Sequence, residues 1–250
     1  MCRHLAFVGD PVPIGELVLG PPHSLERQAW QPRTQSSGLV NADGFGVGWY
    51  AEGDPVPARY RRAAPIWGDL SLADLGRVVR TGALLAAVRG ATRPGADGEA
   101  AAAPFAAGRW LFSHNGAVPG WPGSLTGLAA SLTAGELLAL EARTDSSLVW
   151  GLVLHRLRAG DGPGPALADT VREVAGADPE SRLNLLLTDG TEITATAWGN
   201  SLWYLRRPDR TVVASEPYDD DPLWREVPDR TLLAATRTDV TLTSLKEPSA

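Results

Sequence analysis

The period of the apolar positions changes twice along this chain. Near the start, Leu5-Ala6-Phe7-Val8 is a continuous apolar run that predicts a first strand, ended by Gly9-Asp10-Pro11. Residues 10–40 are rich in Pro, Gly, Ser and Gln and read as a long surface connection. In residues 41–50 (NADGFGVGWY) glycine alternates with Phe, Val and Trp. Glycines inside a strand mark the close approach of another backbone or of a ligand. Residues 58–64 (ARYRRAA) fit a strand paired with it. Leu and Val then recur at helical spacing over 69–80, and 83–92 (ALLAAVRGAT) reads as a buried strand ending at Arg89. A Pro/Gly/Ala loop with little to bury follows over 93–104, then a strand over 109–116 (RWLFSHNG) and a turn over 119–123.

The middle of the chain has helical spacing. Residues 125–142 and 143–160 both predict helix; in the second, Thr144 or Asp145 can cap the start and Gly160 marks the stop. A further helix covers about 165–175. Strand spacing then returns. Residues 182–199 predict a hairpin turning at Asp189-Gly190 through a type I′ turn. Short strands follow at 201–207, 211–215, 231–236 and 240–245, with no internal repeat. Strands at both ends around a helical middle imply an α+β fold, with stacked sheets and helices outside them.

Composition narrows the field. A chain of 250 residues suits one domain over 2–250, with a core that needs no staples. The net charge of −6 and the lack of a basic run argue against nucleic acid as a partner. A lone cysteine, Cys2, excludes an internal disulfide and a Cys-rich metal site. Charged Arg3 and His4 ahead of a short apolar run do not make a secretory signal. No stretch approaches the roughly 18 apolar residues of a membrane span. The expected setting is the reduced cytoplasm, away from membranes. The oligomeric state stays open.

Four segments carry candidate chemistry. Cys2 follows a methionine that an aminopeptidase can remove, because the cysteine side chain is small. The thiol would then stand beside a free α-amine with a pKa of about 7.7–8.0, and one residue would hold both nucleophile and base. Cys2 is equally a small residue that a first strand could bury. In "FSHNGAV" (112–118) a strand ends at His114 and Asn115-Gly116 makes a turn. The Asn115 amide and the Gly116 N–H can form an oxyanion hole, although Asn-Gly is also the favoured hairpin dipeptide. Arg89 closes an uncharged strand, where a fixed guanidinium suits a carboxylate or simply reaches solvent. Asp145 stands at a helix start, where it could take a substrate ammonium or serve as a cap.

Cys2, Arg89 with Ala91-Thr92, Asn115-Gly116 and Asp145 occur in an order that resembles the class II glutamine amidotransferases, which are Ntn hydrolases with an N-terminal cysteine. The resemblance runs over most of residues 2–236. It implies a four-layer αββα sandwich of two mostly antiparallel sheets, with no cofactor and no metal. It implies that Cys2 attacks a γ-glutamyl carbonyl while its own amine shuttles the proton. Asn115 and Gly116 would hold the oxyanion, Arg89 the α-carboxylate and Asp145 the α-ammonium. His114 would support the turn at the substrate site, and Gly46 and Gly48 would leave room beneath it. Val88 and Gly90 depart from the residues that flank this arginine in many members.

Residues 237–250 are too few for the synthase domain that uses ammonia in amidotransferases proper. The longer pattern, MCRHLAFVG to ASEPYDDDPLW, resembles the branch of the family that hydrolyses γ-glutamyl-hercynylcysteine sulfoxide in ergothioneine biosynthesis. A small-molecule γ-glutamyl substrate is the partner this implies. Its leaving half carries a trimethylammonium, which aromatic faces and nearby acids hold well. Trp30, Trp121, Trp224 and the acids of "YDDDPLW" (218–224) are candidates, and loops 21–40, 93–104 and 216–226 are expected to select the leaving group. A glutaminase subunit that feeds a separate synthase and an inactive binding protein of the same fold remain alternatives.

Overall fold

The computed structural model describes residues 2–34, 40–91 and 98–246. Met1, Thr92 and parts of the loops 21–40 and 93–104 lie outside the described residues. The chain runs through strand β1 (Arg3–Pro13), the short helices α1 (Gly15–Val18) and α2 (Leu25–Gln28), strands β2 (Phe45–Trp49) and β3 (Ala58–Arg62), helix α3 (Leu70–Val78) and strand β4 (Arg80–Val88). A hairpin of β5 (Phe105–Ala107) and β6 (Trp110–Ala117) precedes α4 (Thr126–Ala129), α5 (Ala134–Leu138), α6 (Asp145–Ala159) and α7 (Pro163–Ala177). The last third holds β7 (Arg182–Thr188), β8 (Glu192–Ala197), β9 (Trp203–Arg207), β10 (Arg210–Ala214), β11 (Arg225–Glu226), β12 (Thr231–Thr236) and β13 (Val240–Ser244).

These strands form a 7-stranded sheet, β11-β9-β10-β1-β4-β2-β3, and a 6-stranded sheet, β13-β12-β8-β7-β6-β5. Pairing within both is antiparallel. The apolar run of β1 is continuous because both of its faces are covered. Leu5 and Phe7 pack with Leu17, Leu25 and Leu72 of the helices α1 to α3. Ala6 and Val8 face the other sheet, against Leu111, Leu186 and Ile193. On the far side of that second sheet, Phe112, Leu185 and Leu187 pack with Leu148, Val153, Leu167 and Val171 of α6 and α7. The layers are therefore helix, sheet, sheet, helix, as the sequence implied. Phe7 is fully buried, and truncation to alanine there costs about 3–5 kcal/mol. The layer between the sheets is rich in alanine (Ala6, Ala83, Ala195, Ala197, Ala235), whereas the outer layers carry the phenylalanines and tryptophans.

The departures from expectation have physical causes. Gly9-Asp10-Pro11 does not end β1; the register with β4 shifts between Val8 and Val12, and the strand resumes. The segment read as a surface connection buries Ile14, Leu17, Val18 and Leu25 through α1 and α2. Helix α6 is capped by Thr144, whose Oγ1 accepts the Ser147 N–H at 3.2 Å, and it stops at Gly160 with φ 103°. Residues 125–142 break into α4 and α5. The turn at Asp189-Gly190 is present, but Asp189 does not have the positive φ of a type I′ turn; among the described non-glycine residues only Arg230 does. Its Oδ1 instead accepts the Thr191 and Glu192 N–H groups. Asn115-Gly116 is not a turn at all. It lies inside β6, opposite Asn184 and Leu183 of β7.

Candidate active site

The start of β1, the end of β4, β6 and the start of α6 meet around a cavity lined by Cys2, Arg89, Gly90, His114, Gly116 and Asp145. Ala101, Ala103, Phe105 and Trp121 give it an apolar wall. Cys2 is half-buried just before β1. Desolvation pushes its thiol pKa up; the positive chain terminus, a hydrogen bond from the Gly90 backbone and the Arg89 guanidinium pull it down, and Asp145 adds to the rise. Gly90, a departure from the expected pattern, thus touches the thiol through its backbone.

Arg89 is fixed from behind. Its N–H donates to the Gly44 carbonyl at 2.7 Å and its carbonyl accepts from the Asp43 N–H at 2.9 Å. The guanidinium donates to the Asp43 carbonyl at 3.3 Å, while Asp43 Oδ2 accepts from the Ala91 N–H at 2.7 Å. Across the pocket, Asp145 is the first residue of α6, at the positive end of the helix dipole. Its Oδ2 accepts from the Val118 N–H at 2.9 Å and its Oδ1 from the Ser146 N–H at 2.7 Å. Thr144 is the N-cap, and Asp145 adds the bond to the Ser146 N–H of the first turn. A fixed guanidinium and a fixed carboxylate in one pocket can hold the two charges of an α-amino acid.

His114 is a strut. Its Nε2 lies 2.9 Å from the Arg182 carbonyl and its Nδ1 2.9 Å from Ser146 Oγ. A carbonyl can only accept, so Nε2 carries the hydrogen and, in the neutral ring, Nδ1 accepts from the serine. Gly116 is required by space, because a Cβ there would occupy the position of the Arg182 carbonyl oxygen and press on the His114 ring. Asn115 points the other way, between the sheets, where it is fully buried. Its Nδ2 donates to Ser215 Oγ at 3.1 Å, and its backbone carbonyl accepts from Asn200 Nδ2 at 3.0 Å. That end of the inter-sheet layer is polar: His4 Nδ1 lies 3.1 Å from Ser113 Oγ, and Asn184 Nδ2 donates to the Asn200 and Ser201 carbonyls.

Gly46 and Gly48 do not leave room for a ligand. A Cβ on Gly46 would strike the Ala103 carbonyl, and one on Gly48 would come within 2.8 Å of Leu111. The close approach is of protein to protein, and it seats the Ala103 wall. Nor do Tyr218 and Trp224 offer free faces. They meet edge-to-face at 5.2 Å inside the outer core, and Trp224 Nε1 donates to Asp219 at 2.7 Å. Asp220 faces His23 and Arg33, and Asp221 pairs with Arg207. Of the expected selecting loops, the described residues of 93–104 reach the cavity through Ala101 and Ala103; 216–226 and the described part of 21–40 do not. Trp121 is the aromatic that does line it, together with Phe105.

Sequence reasoning missed the supports. Arg59 and Arg61 of β3 both grip Glu141, at 2.9 and 2.8 Å, and donate to the Pro104 and Ala102 carbonyls at 3.2 Å. They hang the wall of the pocket on the edge of the first sheet. The alternating arginines of "ARYRRAA" were the available signal, since they put two cations on one face of a strand. Glu216 is buried beside Arg3, 3.9 Å from its Nε, and accepts from the Arg33 and Thr34 N–H groups. Among the described residues no three His, Cys, Asp or Glu side chains converge as a metal site requires, and no helix is long and apolar enough to cross a membrane.

A family model of class II glutamine amidotransferases matches residues 21–211. The γ-glutamyl-hercynylcysteine sulfoxide hydrolase of Mycobacterium tuberculosis is 44% identical over 246 residues, covering 98% of this chain and 97% of that protein. The enzyme of the same name from Mycolicibacterium smegmatis is 42% identical over 245 residues, covering 98% and 100%. Among solved structures, a class II domain protein from Silicibacter pomeroyi matches with a TM-score of 0.72 at 24% identity, covering 98% of this chain and 100% of that one. The allosteric regulatory enzyme of purine biosynthesis matches with a TM-score of 0.69 at 16% identity, over 99% of this chain and 50% of that one. The two structural matches share the fold.

Proposed function

Since this chain belongs to the class II glutamine amidotransferases, we propose that it is a γ-glutamyl amidohydrolase that cleaves γ-glutamyl-hercynylcysteine sulfoxide to glutamate and hercynylcysteine sulfoxide. The observation that carries this reading is the pocket shared by Cys2, Arg89, Gly116 and Asp145, which come from separate parts of the chain. The relatives named for this reaction cover the chain almost end to end, which supports the same substrate here. The cytoplasm is the compartment in which a lone thiol nucleophile stays reduced.

In this mechanism Met1 is removed and Cys2 gains a free α-amine. Arg89 binds the α-carboxylate of the glutamyl group and Asp145 its α-ammonium. The amine takes the thiol proton, and Sγ attacks the γ-carbonyl carbon. Gly116 stabilises the oxyanion from the pocket wall, and the Asn115 amide, which does not line the cavity, joins it from the inter-sheet side. The C–N bond breaks as the amine passes its proton to the leaving nitrogen, which leaves a thioester on Cys2. Water then attacks the thioester, its proton goes to the amine, and the S–C bond breaks to release glutamate. His114 holds Ser146 and β7 in place, and performs no proton transfer.

The test compares the purified, Met1-free protein on γ-glutamyl-hercynylcysteine sulfoxide and on glutamine. The reading expects kcat/KM for the first to exceed the second by about 100-fold or more. Equal turnover of glutamine, raised by a partner synthase, would point to a glutaminase subunit. Full activity in Cys2→Ala overturns the mechanism.

A further inference from the structure

We infer that Ser215 is a positioning residue: its hydroxyl sets which end of the Asn115 amide faces the reacting carbonyl. This rests on the oxyanion role proposed above for Asn115. Ser215 stands one residue beyond β10 and prolongs its pairing with β1. Its N–H donates to the His4 carbonyl at 2.9 Å, and its Oγ accepts the His4 N–H at 3.0 Å. His4 is two residues from Cys2, so this serine is stitched to the strand that carries the nucleophile. The same Oγ lies 3.1 Å from the Asn115 amide, which belongs to the other sheet. One hydroxyl therefore ties nucleophile strand to oxyanion donor across the gap between the sheets.

The two ends of an asparagine amide have the same shape, so its direction is settled by its partners. With Nδ2 toward Ser215, the buried Oδ1 finds no partner among the described residues, and Ser215 Oγ accepts from two N–H groups while donating to none of them. Turning the amide end for end gives the serine proton an acceptor and makes the partnerless end of the amide a donor. The serine proton then goes to the amide oxygen, and both amide hydrogens point to the unpartnered end. The His4 N–H takes one acceptor site of Oγ, and the hydroxyl proton, which has no other acceptor at hand among the described residues, goes to the amide oxygen. The Asn115 main chain is separately anchored by Asn200, so the side-chain rotation is the freedom that Ser215 removes. An amide held this way offers N–H, not carbonyl oxygen, to a developing negative charge.

The experiment uses Ser215→Ala, Ser215→Thr and Asn115→Ala in the Met1-free enzyme, with steady-state kinetics and two ligands. The γ-aldehyde of glutamate forms a tetrahedral adduct with Cys2 and needs the oxyanion donors; glutamate needs Arg89 and Asp145 and serves as the control for folding. Loss of a full oxyanion donor costs about 10²–10³ in kcat, and loss of its orientation is expected to cost about 10–100-fold. Ser215→Ala should lower kcat by that factor with KM within about 2-fold, weaken the aldehyde equally and leave glutamate binding unchanged. Ser215→Thr, which keeps the hydroxyl, should recover most of the rate. Unchanged kcat and aldehyde affinity in Ser215→Ala, with Asn115→Ala impaired, overturns the inference alone. An unimpaired Asn115→Ala overturns the oxyanion reading beneath it. Equal loss of aldehyde and glutamate affinity in Ser215→Ala means a general structural role and also overturns the inference.

Discussion

Replacing Asp145 with asparagine separates its two duties. In the fold, the carboxylate accepts the Val118 N–H at 2.9 Å and the Ser146 N–H at 2.7 Å. Asparagine keeps one acceptor and turns an NH2 toward the other donor, which costs about 1–3 kcal/mol of stability. In the proposed complex the carboxylate also meets the substrate's α-ammonium. Two unit charges about 4 Å apart at an effective dielectric of about 20 attract by about 4 kcal/mol. Asp145 is half-buried, and desolvation of both groups removes part of that, leaving a net effect of about 2–3 kcal/mol. At about 1.4 kcal/mol per tenfold, Asp145→Asn should lower kcat/KM by roughly 30- to 150-fold on a γ-glutamyl amide. The decisive measurement is the same ratio on the matching glutaryl amide, which lacks the ammonium. Near-equal activity of mutant and wild type on the glutaryl compound is expected. An equal loss on both substrates would refute the reasoning, because it would mean that Asp145 acts only by ordering the start of α6.

Other expectations follow from the remaining geometry. Arg89 lowers the Cys2 thiol pKa, so Arg89→Leu should move the inflection of iodoacetamide alkylation to higher pH; an unmoved inflection would sink that electrostatic account. His4 is held neutral, its pKa well below the ordinary value, by burial and then by His114 and Arg3. The unfolded chain therefore binds the extra proton, and stability is lost as pH falls from about 6.5 toward the folded value, by up to about 1.4 kcal/mol per pH unit. His4→Gln should flatten that part of the urea-unfolding profile, and a slope that survives would assign it to other groups. Glu141→Ala frees two arginines that brace the pocket wall, and should cost about 2 kcal/mol, or about 4–8 °C in Tm, while raising KM more than it lowers kcat. Trp121→Ala should raise KM for the cationic substrate by roughly 5- to 30-fold and leave KM for glutamine within about 2-fold; equal effects would remove Trp121 from leaving-group recognition.

Much of the fold was legible because both sheets are covered on both faces. That makes β1, β4 and β7 read as plain apolar runs, and lets their breakers stand out. Cys2, Arg89 and Asp145 were legible for a related reason: each is a polar or reactive residue at the very end of an apolar element. Asn115-Gly116 was misread in its conformation. The dipeptide has a strong local preference for a turn, but pairing with Asn184 and Leu183 outweighs it. Gly46 and Gly48 were read correctly as marks of close approach, yet sequence cannot say whether a ligand or the protein itself approaches. The supports were illegible because they join residues far apart in the chain. Asn115 to Ser215, Arg59 to Glu141 and Arg3 to Glu216 are matched by no local pattern. The helices α1 and α2 were hidden by a Pro- and Gly-rich composition in which only a few positions are apolar.

The way the pocket wall is hung carries an evolutionary consequence. Cys2, the proposed nucleophile, and Arg89 sit at the ends of β1 and β4, which lie inside the first sheet and are hydrogen-bonded on both sides. The wall of Ala101 to Phe105 hangs instead on the arginines of β3 and on β5, which are the outermost strands of their sheets. Outermost strands tolerate insertion and replacement far better than inner ones, since only one neighbour must accommodate the change. Under the proposed mechanism, a descendant of this chain could therefore exchange this wall while Cys2 and Arg89 stay untouched. Grafting a different edge hairpin is the corresponding route to a new amide preference in the laboratory.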